Sequence, residues 1–234
     1  MKLQRFFIEP KNILEKQVTV TDRDTLNQIK RVLRLRVGER VIFLDGSGKE
    51  YESEISELNP ESLRAEILSV SENKNEPELK ITICQALCKK DKFEWILQKG
   101  TEVGAADFIP VLAGRSEKTG LNFERAEKIL KEAAEQSERG IIPKLAQIQK
   151  FEDVLKSAKG KKILLDKSGV PIKDFLLSPV TGEMLNVFIG PEGGWTDEEL
   201  EMAKENNAKI VSLGSRVLRT ETAGLVAAAI LLNK

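Results

Sequence analysis

The chain contains no histidine, which rules out a Ser-His-Asp triad, a histidine general base and a histidine-ligated metal. Cysteine is nearly as scarce, with Cys84 and Cys88 the whole thiol inventory. One CxxxC pair, with no second pair and no histidine, does not make a usual structural zinc site, so two buried thiols are expected. Net charge is zero, with 37 basic and 37 acidic residues, so binding to a polyanion must rest on a local patch. No apolar run reaches the length that a membrane helix needs, and the apolar part of Met1–Pro10 is too short for a signal peptide. A cytoplasmic location is the default expectation.

What is present suits one large domain or two modest ones. The chain has 234 residues, 41% hydrophobic and 32% charged, enough to bury a real core in each half. The first part reads as strands: Val18–Thr21, Arg40–Leu44, Tyr51–Leu58 and Leu63–Val70, with Asp45-Gly-Ser-Gly48 as a hairpin turn. Between the first two, Leu26, Ile29, Val32 and Leu33 recur at helical spacing behind Thr21 or Asp22 as cap. These elements suit a compact barrel-like unit. Ser71-Glu-Asn-Lys-Asn-Glu-Pro77 is polar, lacks apolar periodicity and ends in proline, so it reads as a linker. The expected division is 1–72 and 73–234.

Beyond the linker, strands alternate with helices, the pattern of a parallel sheet covered on both faces. Strands are expected at Leu79–Ala86, Phe108–Leu112, Lys144–Ile148, Ile163–Leu165, Leu185–Ile189 and Ile210–Leu213. Helices are expected at Lys92–Val103, Phe123–Arg139, Phe151–Ser157, about Thr196–Asn206 and about Glu221–Leu232.

Two loops in this half carry the chemical interest. In Phe188-Ile-Gly-Pro-Glu-Gly-Gly-Trp195, three glycines follow an apolar strand and lead into the capping box Thr196-Asp-Glu-Glu199. In Leu213-Gly-Ser-Arg-Val-Leu-Arg-Thr-Glu-Thr-Ala223, a second strand ends and opens an apolar helix rich in small residues. Ligands of open α/β sheets bind at the carboxyl ends of strands, where both loops lie. Either loop alone suits a plain strand-to-helix turn; two together point to a pocket lined by main chain. Arg216, Arg219 and Glu221 put charge at the entrance of an otherwise apolar helix, where they either line that pocket or brace the loop. No GxGxxG follows the first strand of a βαβ unit, and no GxxxxGK[ST] occurs, so the common nucleotide-binding loops are absent.

Charge is distributed unevenly. Arg23, Lys30, Arg31, Arg34, Arg36 and Arg40 face only Asp24 and Glu39 over residues 23–40, a balance of 6 − 2 = +4, whereas Glu183–Glu205 is acidic. A polyanion-binding face and a solvated helix face fit this equally. Glu135 and Arg139 are spaced i,i+4, either a helix ion pair or a polar cluster offered to substrate. Lys89, Lys90 and Lys92 follow a strand and suit either phosphates or solvent.

Taken together, Ile189–Gly194, Leu213–Ala223, Glu135-Gln136 with Arg139, and Thr101-Glu-Val-Gly104 resemble the RsmE family, the small-subunit rRNA uridine-N3 methyltransferases of the SPOUT superfamily. Arg31-Val-Leu-Arg34 and Phe43-Leu-Asp-Gly46 extend the resemblance into the N-terminal part. The resemblance implies a PUA-like RNA-binding domain, an α/β domain with a C-terminal trefoil knot, a homodimer through that domain, and S-adenosylmethionine as cofactor. It implies 16S rRNA of the 30S subunit as substrate, with no membrane and no metal. The cofactor is expected on Leu165, Ile189, Gly190, Pro191, Glu192 and Gly193 from one side. Leu213, Gly214, Val217, Leu218, Arg219 and Thr220 are expected on the other, mainly through backbone groups. Arg5, Arg34, Arg139 and Arg216 are candidates for gripping RNA and the target base, with Glu135 and Glu221 as proton acceptors. Arg23, Lys30, Arg31, Arg36 and Lys90 complete the expected RNA contacts. The histidine many members carry ahead of the Arg-Val-Leu-Arg element is missing; Asn27-Gln-Ile-Lys30 stands there. Two other functions fit the same residues: a non-catalytic RNA-binding assembly factor, and methylation of a ribose 2′-hydroxyl.

Overall fold

The structure, a computed structural model, describes residues 3–116, 120–177 and 184–233. It divides into two compact units, one of residues up to 76 plus 134–142, the other of 77–133 plus 143 onward. The division expected from sequence lies close by at 72/73, but it assigns 134–142 differently.

The first unit is built on a five-stranded mixed sheet. Its strands are β1 (Gln4–Phe7), β2 (Gln17–Val20), β3 (Arg40–Leu44), β4 (Lys49–Leu58) and β5 (Leu63–Glu72), in the order β1-β3-β4-β5-β2. Strands β1 and β3 pair parallel; the other pairs of this sheet are antiparallel. Alternation puts Val18, Val20, Val41, Phe43, Ile55, Leu63 and Ala65 on one buried face with Phe6 and Ile29. The strand β1 was not expected from sequence.

The expected helix through Leu33 is shorter and wider than its periodicity suggests. The Asp22 carboxylate caps α1 (Arg23–Asn27) by accepting from the Thr25 N–H at 2.8 Å. The backbone then opens into a π turn over Gln28–Val32 and leaves through Arg34, whose φ is 56°. The wide turn still buries Leu26 and Ile29, which is why the apolar spacing looks helical.

Residues 71–77 are not a slack linker. Strand β5 continues through Glu72, and the Asn73 side-chain amide donates to the Glu50 carboxylate at 2.7 Å and to the Glu138 carbonyl at 2.9 Å. Polar character here reflects hydrogen bonds to the 134–142 segment rather than freedom.

The second unit is a parallel sheet with helices on both faces. Its elements are β6 (Lys80–Ala86), α2 (Lys90–Glu102), β7 (Asp107–Leu112), α3 (Phe123–Gln136), β8 (Lys144–Leu145), β9 (Gln149–Lys150) and α4 (Phe151–Ser157). There follow β10 (Lys161–Pro171), α5 (Ile172–Phe175), β11 (Met184–Ile189), α6 (Asp197–Glu205), β12 (Ala208–Ser212) and α7 (Thr220–Leu232). The order is β12-β10-β11-β6-β7-β8, with β9 also on β7, and every pair among the described residues is parallel. Helix α3 ends at Gln136, short of the expected Arg139, and of the expected strand Lys144–Ile148 only Lys144–Leu145 is strand, with a second pair, Gln149–Lys150, just beyond it.

One face of this sheet buries Cys84, Val111, Leu164 and Phe188 beneath Phe151, Val154, Leu155 and Trp195. Phe188 is fully buried, a side chain whose transfer from water stabilises by about 1.5–3 kcal/mol. On the other face α7 packs against α2, β11 and β6. Small residues allow that approach: a Cβ on Gly224 would lie 3.3 Å from Ile189 Cγ1. Neither cysteine is in a disulfide, and burial, with Asp107 adding its charge, pushes the Cys84 thiol far above its usual range.

Candidate cofactor site

Parallel register aligns the carboxyl ends of four strands. Val211 of β12 pairs with Leu165 of β10, Leu165 with Ile189 of β11, and Ile189 with Gln85 of β6. The loops after those residues therefore emerge along one edge. Between Leu165 and Val170 the register of β10 shifts, so that both residues pair with Val211 across an irregularity at 166–169.

The glycine loop after β11 is pinned from several directions. The Trp195 indole N–H donates to the Leu165 carbonyl at 3.2 Å, and its ring lies 4.7 Å from that of Phe151. A Cβ on Gly190 would stand 3.1 Å from the Trp195 ring, so a side chain here would press on the indole and glycine lets the main chain pass without a shift. The Gly194 N–H returns to the Pro191 carbonyl at 2.9 Å. From the loop after β7, Arg115 donates to the carbonyls of Gly193 at 2.9 Å and Trp195 at 3.1 Å. The capping box of α6 forms as its sequence implies, and Glu199 also accepts from the Gly114 N–H at 2.8 Å.

The second loop meets the first through one buried hydroxyl. Thr220, the first residue of α7, donates from Oγ1 to the Gly190 carbonyl at 2.6 Å and accepts from the Gln85 amide at 2.8 Å. Gly214 turns the chain with φ of 118°, a conformation that favours glycine. Residues 214–217 and 219 are exposed, Val217 at 91%, while Leu213 and Leu218 are half-buried.

Charge gathers at the same edge. Lys92, near the start of α2, lies 2.9 Å from Glu192 and 3.7 Å from Glu221. Its ammonium pKa is raised, first by the Glu192 hydrogen bond, with burial opposing. Burial raises the Glu192 carboxyl, but the Lys92 hydrogen bond, its own backbone and the charges of Lys92 and Lys89 outweigh it, leaving the pKa lowered. Glu221 Oε2 is buried with no hydrogen-bond donor among the described residues, and Arg219 stands 4.0 Å from Oε1 of the same carboxylate.

The remaining predicted residues divide between the units. Arg216 and Glu221 lie in the second; Arg5, Glu135 and Arg139 lie in the first. Arg5 pairs with Glu138 at 3.1 Å and Glu50 at 3.5 Å. Glu135 is buried and accepts from the Phe7 N–H at 2.8 Å. Arg139, also buried, grips both oxygens of Glu76 at 3.3 and 2.7 Å. Among the basic candidates, Arg23, Arg31, Arg34 and Arg36 are exposed, alongside exposed Val32 and Val37. Lys30 donates to the Asn59 carbonyl, and Lys90, in the second unit, stands 4.0 Å from Glu94.

Sequence reasoning missed Gln85, Arg115 and the anchoring role of Trp195. Gln85 had a visible signal, an amide at the end of an apolar strand, Ile81-Thr-Ile-Cys-Gln-Ala86. Arg115 had none, because its partners lie 78 and 80 residues away.

Comparison with known proteins agrees with this anatomy. Residues 75–232 match a family model described as an RNA methyltransferase domain, and residues 20–68 match an RNA methyltransferase PUA domain. Ribosomal RNA small subunit methyltransferase E of Bacillus subtilis is 33% identical over 245 residues, covering 96% of this chain and 94% of its own. The Synechocystis protein of the same name is 35% identical, covering 96% of this chain and 76% of its own. The crystal structure of the Neisseria gonorrhoeae methyltransferase E bound to S-adenosyl methionine superposes with a TM-score of 0.90 at 30% identity, over 98% of this chain and 97% of that one. A Legionella pneumophila structure in complex with the bound cofactor SAM gives 0.89 at 28% identity, over 99% of this chain and 97% of that one. The α/β unit is thus a methyltransferase domain, preceded by a PUA-like one, and the chain belongs to the ribosomal RNA small subunit methyltransferase E family.

Proposed function

We propose that the protein transfers a methyl group from S-adenosylmethionine to N3 of a uridine in 16S rRNA of the 30S subunit. The observation that carries this reading is the Thr220–Gly190 hydrogen bond of 2.6 Å, which joins the two glycine loops at one sheet edge. The residues fit such a cofactor. Gly190 brings the main chain close against Trp195, so main chain faces the ligand. Leu165, Ile189, Gly190, Pro191, Glu192 and Gly193 would hold it from one loop; Leu213, Gly214, Val217, Leu218, Arg219 and Thr220 would hold it from the other.

When bound, S-adenosylmethionine supplies a methyl group on a sulfonium that leaves readily. The protein then has to position the base and stabilise its anion. Because N3 is used in base pairing, the uridine has to be unpaired or turned outward. The Glu221 carboxylate takes the imide proton, with Lys92, 3.7 Å from its buried Oε2, holding it in place. Arg216, exposed on its loop, contacts a uracil oxygen where negative charge develops. Arg5, Glu135 and Arg139 act within the first unit by fixing its 134–142 segment. Exposed Arg23, Arg31, Arg34 and Arg36, with Lys30 and Lys90, bind phosphates.

The strand order supports a trefoil knot. After β12 at the sheet edge the chain runs back past β10, and α7 packs on β11 and β6. We infer that this threaded domain also forms a homodimer, and that the protein works in the cytoplasm where 30S subunits reside. The test is mass spectrometry of nucleosides from 30S subunits treated with protein and S-adenosylmethionine. N3-methyluridine is expected; a 2′-O-methyl nucleoside, or no methyl at all, would refute the assignment.

A further inference from the structure

Gln85 is fully buried at the end of β6, yet its Oε1 has no hydrogen-bond partner among the described residues. A buried acceptor left unpaired in an apolar sheet asks for an explanation. The explanation lies in its amide nitrogen, which donates to the Ala86 carbonyl at 3.2 Å and to Thr220 Oγ1 at 2.8 Å. Turned the other way, the amide would set Oε1 against the Ala86 carbonyl, oxygen against oxygen. The Ala86 carbonyl therefore fixes which end of the amide reaches Thr220.

That choice decides where the threonine proton goes. A hydroxyl has one proton to donate, and an acceptor at Gln85 would compete for it. Because Gln85 arrives as a donor, it occupies a lone pair of Oγ1 and the proton is directed to the Gly190 carbonyl at 2.6 Å. The Gly190 peptide is then held in one orientation at the start of the glycine loop. Gly224 lies close by: a methyl group there would stand 3.5 Å from Oε1 and 3.3 Å from Ile189.

We propose that Gln85 is a positioning residue for the cofactor site: it acts through the Thr220 hydroxyl to set the Gly190 peptide, without touching the ligand. This rests on the cofactor reading above. Loss of the relay lets the Gly190 peptide sample other orientations, so the cofactor binds only the fraction of molecules with the loop correctly set.

The test is calorimetric titration of the full-length protein with S-adenosylmethionine. Wild type must bind first; if it does not, the cofactor reading fails and this inference with it. Given binding, Gln85→Met, which keeps length without the donor, is expected to weaken Kd about tenfold. Thr220→Val should do the same, and Thr220→Ser should recover wild-type affinity. In the Thr220→Val background Gln85→Met should add no further loss, because Gln85 acts only through that hydroxyl. Unchanged affinity in Gln85→Met, or additive losses in the double variant, would overturn the proposal. If Gln85→Met does not fold, Gln85→Glu substitutes for it: an acceptor there draws the proton from Gly190, so weaker binding is expected and wild-type binding would refute the relay.

Discussion

Lys92 stands between two carboxylates from separate elements, 2.9 Å from Glu192 Oε1 and 3.7 Å from Glu221 Oε2. One ammonium near the start of α2 thereby ties the glycine loop to the head of α7. Replacing it with methionine leaves two negative charges close together. Lys92→Met should lower the melting temperature by a few degrees at most, since the pair is partly solvated.

The pH dependence of that difference follows from the shifts. Glu192 has a lowered pKa, so its share is present above the ordinary glutamate range and is lost as pH falls through the lowered value. Lys92 has a raised pKa, so its share is present below the ordinary lysine range and is lost as pH rises through the raised value. The melting-temperature gap between wild type and Lys92→Met should be flat from about pH 6 to 9 and should close in acid below the ordinary glutamate range.

Gly190→Ala tests the close approach of the loop to Trp195. The added methyl would lie 3.1 Å from a ring already packed at 4.7 Å on Phe151, so the ring cannot yield freely. A loss of about 1–3 kcal/mol in urea unfolding is expected, with cofactor affinity reduced at least tenfold. Wild-type affinity in this variant would mean that the loop does not face the ligand.

The basic surface of the first unit makes an electrostatic prediction. Arg31, Arg34 and Arg36 are exposed, and binding to RNA through them should release counterions and so weaken as salt rises. Each arginine changed to alanine should lower the slope of log affinity against log salt by about one, with cofactor affinity unchanged. A slope that does not move would assign these side chains to solvent.

Arg139 and Glu76 predict a structural effect. The guanidinium is almost wholly buried and its carboxylate partner also accepts from the N–H groups of Gly140 and Ile141 at 3.0 and 3.2 Å. Glu76→Gln should cost about 2 kcal/mol in urea unfolding, with cofactor binding retained.

The sequence made the local elements legible and left their juxtaposition hidden. Apolar runs bounded by glycine or proline marked the strands of the second unit, and the capping box marked the start of α6, because those signals are local. Strand β1 escaped notice because it is four residues with Arg5 among them, and it pairs with Arg40–Leu44 far along the chain. The π turn after α1 mimicked a helix because Leu26 and Ile29 are still buried, although Val32 is exposed. Both glycine loops were recognisable as motifs, yet their adjacency depends on the order β12-β10-β11 and on a threonine 30 residues from its carbonyl partner. Gln85 lies 135 residues from Thr220, a separation no local pattern encodes.

A crystal structure of the protein with S-adenosylmethionine tests the central claim most directly. Cofactor density is expected between the loop at 190–194 and the loop at 213–220, with the Thr220 hydroxyl still on the Gly190 carbonyl. Density elsewhere on the molecule, or an empty cleft at saturating cofactor, would contradict the account.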